Sequence, residues 1–128
     1  MYLAKGKFGT AINCIDGRVQ LTLCQWMKEN YDLDYVDVIT EPGIDRILSK
    51  GSAAERAAIE KKARISVKAH GSEVIVVAGY YDCAGNPVSR EEHCKQVKKA
   101  MQVIRSWKLP VEVVGVWIGE DWSVVVNV

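Results

Sequence analysis

The run Val74-Ile75-Val76-Val77-Ala78 is apolar at every position, with no polar alternation. A strand of this kind needs cover on both faces, which a sheet with one wet face does not give. Helices must therefore lie above and below it, and the rest of the chain supplies candidates. Phe8 to Ile15 is small and apolar and reads as a first strand. Val19 to about Asn30 reads as a helix, with Val19, Leu23, Trp26 and Met27 on one face. Tyr35 to Thr40 is β-branched and strand-like, closed by the turn signal Glu41-Pro42-Gly43.

A second long helix opens at Ser52, which has capping-box spacing to Glu55, and ends near His70-Gly71. After the central run comes a loop from Gly79 to Pro87. Ser89 and Glu92 form another capping box, and Val97, Ala100, Met101 and Ile104 make the buried stripe of a third helix that Pro110 stops. Val111 to Ile118 and Trp122 to Val128 are the last strands. Gly119-Glu120-Asp121 between them is too short for anything but an antiparallel hairpin.

This alternation defines an α/β fold in one domain, residues 1–128. It predicts three layers: a mostly parallel sheet in the order 2-1-3-4-5, last strand antiparallel, with helices on both faces. Ligands bind such sheets beyond the carboxyl ends of the strands, where the winding direction switches. Strands one and three meet there, so Cys14 and Cys83 both face that crevice.

Bulk properties narrow the partners. A net charge of +1 gives no long-range field to gather nucleic acid or an anionic membrane. Lys61-Lys62 and Lys98-Lys99 fall within helical patterns and read as solvated faces. Trp26, Trp107, Trp117 and Trp122 read as core or subunit packing rather than base-stacking platforms. No apolar run approaches the roughly 18 residues of a membrane span. The first seven residues lack the apolar core of a signal peptide, so a cytoplasmic protein is expected, with its four cysteines reduced.

The chemistry-bearing segments are Cys14-Ile15-Asp16-Gly17-Arg18 and Tyr80-Tyr81-Asp82-Cys83. Two thiolates at the ends of neighbouring strands can hold a soft divalent metal, and Asp16 with Arg18 can govern the open position beside it. On these residues the chain resembles a small member of the β-class carbonic anhydrase family. That family carries Cys-x-Asp-x-Arg after its first strand and His-x-x-Cys after a later one. Here the first motif is complete as Cys14, Asp16 and Arg18; in the second, Cys83 is in register and Tyr80 stands at the histidine. The run Ala78 to Pro87 is similar to a compact carbonic-anhydrase-like branch. Thr40-Glu41-Pro42-Gly43 falls where the family has a loop lining the site.

The resemblance implies Zn2+ held by Cys14 and Cys83, and reversible hydration of carbon dioxide to bicarbonate by zinc-bound hydroxide, a lyase reaction of the carbonate dehydratase class. Arg18 would hold Asp16, and Asp16 would orient the hydroxide or close the site as fourth ligand. It also implies a homodimer or higher homo-oligomer, with carbon dioxide or bicarbonate as small-molecule partner.

Tyr80 leaves three arrangements open. Asp16 can serve as the substitute ligand, making the site more anionic and its bound water less acidic. Tyr80 can coordinate as phenolate, against an unperturbed pKa near 10. Or no metal binds, and Cys14 and Cys83 are thiols near helix N-termini where redox chemistry is open to them. The alternative functions are then a non-catalytic small-anion-binding module, built on Arg18 and helix N-terminal N–H groups, or a dithiol redox module. His70, at a helix C-terminus on the far edge of the sheet, reads as structural. His93, early in the third helix, reads as either an auxiliary of the site or an exposed surface residue. Cys24 reads as buried filler, and Asp82 as a turn residue bonding its own loop's backbone.

Overall fold

Parallel pairing of Phe8–Asn13 (β1) with both Tyr35–Thr40 (β2) and Val74–Tyr80 (β3) makes β1 the strand from which the chain winds both ways. The computed structural model describes residues 5–126. Between β1 and β2 lies the helix Gly17–Tyr31 (α1), and between β2 and β3 lie Ile44–Lys50 (α2) and Ala53–His70 (α3). Arg90–Ser106 (α4) carries the chain to Glu112–Ile118 (β4), and Val124–Val126 (β5) turns back beside it. The sheet order is β2-β1-β3-β4-β5, parallel except for the β4–β5 pair. The α/β architecture expected from the sequence is the one observed.

The unbroken run in β3 is covered on both faces, as its composition requires. Val74, Val76, Ala78 and Tyr80 join Ala11, Val114 and Val116 in a cluster closed by Val19, Leu23 and Met27 of α1. Ile75 and Val77 point the other way, into a cluster with Ile44 and Leu48 of α2, Ile59 and Ala63 of α3, and Val97, Ala100 and Ile104 of α4. Each fully buried aliphatic side chain of this kind contributes about 1.5–3 kcal/mol. The apolar stripes of the helices therefore bind them to the sheet, and their caps set where they begin.

Several boundaries move. The sequence gives no sign of α2, because its seven residues are too few to show a helical period. β1 ends at Asn13 rather than Ile15, which leaves Cys14 beyond the last paired residue. β3 runs on through Gly79 and Tyr80, so Tyr80 belongs to the strand end and not to the loop. β5 is shorter than Trp122–Val128 at its start, and residues 127–128 lie outside the described residues. At α3 the capping box is complete, and Gly71 takes the left-handed conformation (φ 66°) that ends the helix. At α4 only half of the expected box forms: Ser89 accepts from Glu92 N, while the Glu92 carboxylate turns to Lys50 and Gln96.

The sheet edge remote from the strand C-termini is tied by a polar chain. Thr10 Oγ1 lies 2.7 Å from both Ser66 Oγ and Ser72 Oγ, and Ser66 donates to Asp37 Oδ2. His70 Nδ1 is 2.6 Å from the same carboxylate oxygen, and its ring stacks on Phe8. His70 therefore has a structural partner far from the crevice.

Candidate functional site

At the C-terminal ends of β1 and β3 the chain gathers Cys14, Asp16, Arg18, Tyr80, Asp82 and Cys83. Asp16 is the N-cap of α1, and its Oδ1 accepts from Arg18 N at 2.9 Å. The same cap turns the Arg18 side chain back onto it: Nη2 lies 2.7 Å from Asp16 Oδ2, and Nε donates to both carboxylate oxygens. These bonds, Arg18's foremost, hold the Asp16 carboxyl down at about 2 against the usual 3.8. Arg18 is matched on its other side by Asp82, through Nη1 to Oδ2 at 3.1 Å and Nη2 to the carbonyl at 3.0 Å. Asp82 can offer both groups because it is left-handed (φ 63°). It thus bonds Arg18 across the site rather than its own loop. The guanidinium carbon also stands 5.1 Å from the centre of the Trp122 ring.

Cys14 and Cys83 are both buried and belong to one core cluster with Tyr80. The Cys14 sulfur accepts from Gly43 N at 3.4 Å, just ahead of α2. The Tyr80 hydroxyl lies 3.3 Å from Cys14 Sγ and 3.0 Å from Asp16 Oδ2. Burial raises the phenol well above its ordinary range, and its bonds to Cys14, Cys83 and Asp16 add to the effect. It donates to Cys14 Sγ and Asp16 Oδ2. Burial also pushes the Cys83 thiol up; the Tyr80 hydroxyl opposes this and the nearby Cys14 sulfur reinforces it.

The residues at this point do not make the zinc centre that the resemblance implies. No imidazole joins the two thiols in their cluster, and the Tyr80 hydroxyl bonds both Cys14 Sγ and Asp16 Oδ2, while the Asp16–Arg18 pair is the one the resemblance implies. Among the described residues no three of His, Cys, Asp and Glu are grouped to hold a metal ion.

Beside Cys83 opens a cleft of about 760 Å³, lined among others by Tyr81, Asp82, Arg90, Trp117 and Glu120. It lies between the loop after β3 and the β4–β5 hairpin. His93 is not exposed and does not reach the thiols. It is 1% exposed and pairs with Asp45 at 2.6 Å on the other face of the sheet. Its position four residues before Val97 extends the buried stripe of α4, and that spacing was the available sign. Cys24 is half-buried on α1, and burial raises its thiol. Gln20 holds the Cys14 turn through the carbonyls of Cys14 and Asp16, a role with no sequence signal.

Comparison with known proteins identifies the fold and the family. No curated protein matches the sequence. A solved β-carbonic anhydrase, isoform I from Trichomonas vaginalis, is similar in fold: TM-score 0.58 at 15% identity, covering 98% of this chain and 86% of that one. A family model described as "Putative carbonic anhydrase" matches residues 4–128. That match spans both cysteine segments and every strand, and the chain belongs to this carbonic anhydrase family.

Proposed function

We propose that this chain is a carbonic-anhydrase relative that does not hydrate carbon dioxide, and that it acts as a small-molecule binding module through the cleft beside Cys83. One observation carries the reading: the Tyr80 hydroxyl sits against Cys14 Sγ and Asp16 Oδ2, where a hydration centre needs a metal and its water. The ligand belongs to the carbon dioxide and bicarbonate chemistry of the family. Arg90 lines the cleft, and Arg18 borders it through Asp82. A cytoplasmic setting fits the four free thiols. A homodimer fits the exposed Val125 and Val126 on the β5 edge.

The zinc reading has one observation in its favour: Cys14 and Asp16 meet on the Tyr80 hydroxyl, and Cys83 lies in the same buried cluster. A swing of Tyr80 would free those donors for Zn2+, with Asp16 as the substitute ligand. Stopped-flow hydration of carbon dioxide separates the two. The binding-module reading expects a rate no faster than buffer, unchanged by Cys83→Ser. A rate well above buffer, lost in Cys83→Ser, would establish the zinc reading instead.

A further inference from the structure

Under the loop that carries Cys83, on the face of the sheet away from α1, lies a sealed polar cluster that the site chemistry does not use. Asp45, the second residue of α2, is 2% exposed, and both its oxygens are taken. Oδ1 accepts from Arg46 N and from Asn86 Nδ2, each at 3.0 Å, and Oδ2 lies 2.6 Å from His93 Nδ1. Asn86 Nδ2 donates a second bond to Gln96 Oε1 at 2.6 Å. Gln96 then donates to Glu92, and Lys50 at the far end of α2 bonds the same Glu92. The cluster thus joins α2, the loop and α4.

We propose that Asp45 is the positioning residue of the thiol pocket, and that the first turn of α2 fixes both cysteine-bearing segments at once. On one side, Gly43 donates its N–H to Cys14 Sγ. On the other, Asp45 grips Asn86, whose own N–H donates to the Cys83 carbonyl at 3.3 Å. Gly43 and Gly85 touch backbone to backbone: a Cβ on Gly43 would lie 2.6 Å from the Gly85 carbonyl oxygen. Neither segment can shift without breaking a bond to this turn.

Energetics favour a geometric role over a stabilising one. Taking a carboxylate and an imidazole out of water costs several kcal/mol unless every polar atom is bonded. A well-packed apolar pair would fill the same space at no such cost. What the carboxylate adds is direction: it holds an amide from the loop and an imidazole from α4 at fixed angles. The clamp is independent of any metal at the thiols, so it stands apart from the hydration question.

The test uses the whole chain, labelled with iodoacetamide under native conditions and read cysteine by cysteine by peptide mass spectrometry. Cys24 on α1 is the internal reference. Asp45→Ala should speed labelling of both Cys14 and Cys83 about tenfold or more relative to Cys24, the scale of a lost buried hydrogen bond expressed as local opening. Asn86→Ala should expose Cys83 alone, because Gly43 still holds Cys14. His93→Gln, which keeps a donor toward Asp45, should do less than His93→Leu. Equal acceleration of all three cysteines in Asp45→Ala would show loss of stability only and overturn the proposal. If Asp45→Ala does not fold, Asn86→Ala decides: a Cys83 as protected as in wild type also overturns it.

Discussion

The Tyr80 hydroxyl lies 3.3 Å from Cys14 Sγ, which joins the C-terminal end of β3 to the end of β1 by a hydrogen bond. The same hydroxyl reaches Asp16 Oδ2, so three segments of the site meet on one oxygen. A phenol in this place is a cross-link: it needs no ion, and its stem is buried in the core that α1 closes.

Removing only the hydroxyl measures that link. Tyr80→Phe keeps the ring's packing and leaves Cys14 and Asp16 without the shared donor. The expected loss is about 1–2 kcal/mol. In urea it should appear as a lower midpoint with an unchanged slope. A midpoint equal to wild type would mean that the hydroxyl is idle.

Acid behaviour should depend on Arg18. The Asp16 carboxyl is harder to protonate folded, at about 2, than unfolded, near 3.8. Its contribution is therefore complete above pH 4 and is lost as pH falls towards 2. Because Arg18 is the main cause, Arg18→Gln should be less stable than wild type at pH 5 and above. The gap in Tm should narrow as pH drops from 4 to 2. A gap constant with pH would deny the ion pair this role.

The opposite edge of the sheet offers a control. Thr10→Val removes the hydroxyl shared by Ser66 and Ser72, all three of them buried. Each serine keeps one partner, Asp37 for Ser66 and the Val74 carbonyl for Ser72, so each lost bond should cost about 0.5–1.5 kcal/mol in chemical denaturation. Thiol labelling at Cys14 and Cys83, relative to Cys24, should not change.

Much of the fold was legible because its signals are local. The unbroken apolar run of β3 demanded two covering layers, the short connection after β4 forced β5 antiparallel, and the Ser52–Glu55 box marked the start of α3. Cys14, Asp16 and Arg18 were legible because they lie within one turn. What failed was long-range or short. Asp82 meets Arg18 across 64 positions, and Asn86 meets Asp45 across 41, spacings that no pattern announces. Tyr80 looked like loop because Gly79 broke the β-branched run, although register with Trp117 and Ile118 continues the strand.

Gly79 has its own reason to lack a side chain. A Cβ there would stand 3.1 Å from Asp45 Oδ2, 3.2 Å from Val97 Cγ2 and 3.3 Å from His93 Cβ. Gly79→Ala should push the Asp45–His93 pair away from the sheet and cost about 1–3 kcal/mol. The accompanying sign is a shift of the His93 ring resonances, with those of His70 unmoved. Unmoved His93 resonances would mean that the core absorbs the methyl group elsewhere.

Elemental analysis of the chain and its Tyr80→His variant, purified without chelators and then equilibrated with equal zinc, bears on the central claim most directly. Tyr80→His replaces the blocking hydroxyl with an imidazole donor, so the variant should hold about one zinc per chain and wild type essentially none. A wild-type chain carrying stoichiometric zinc, lost in Cys83→Ser, would contradict the account.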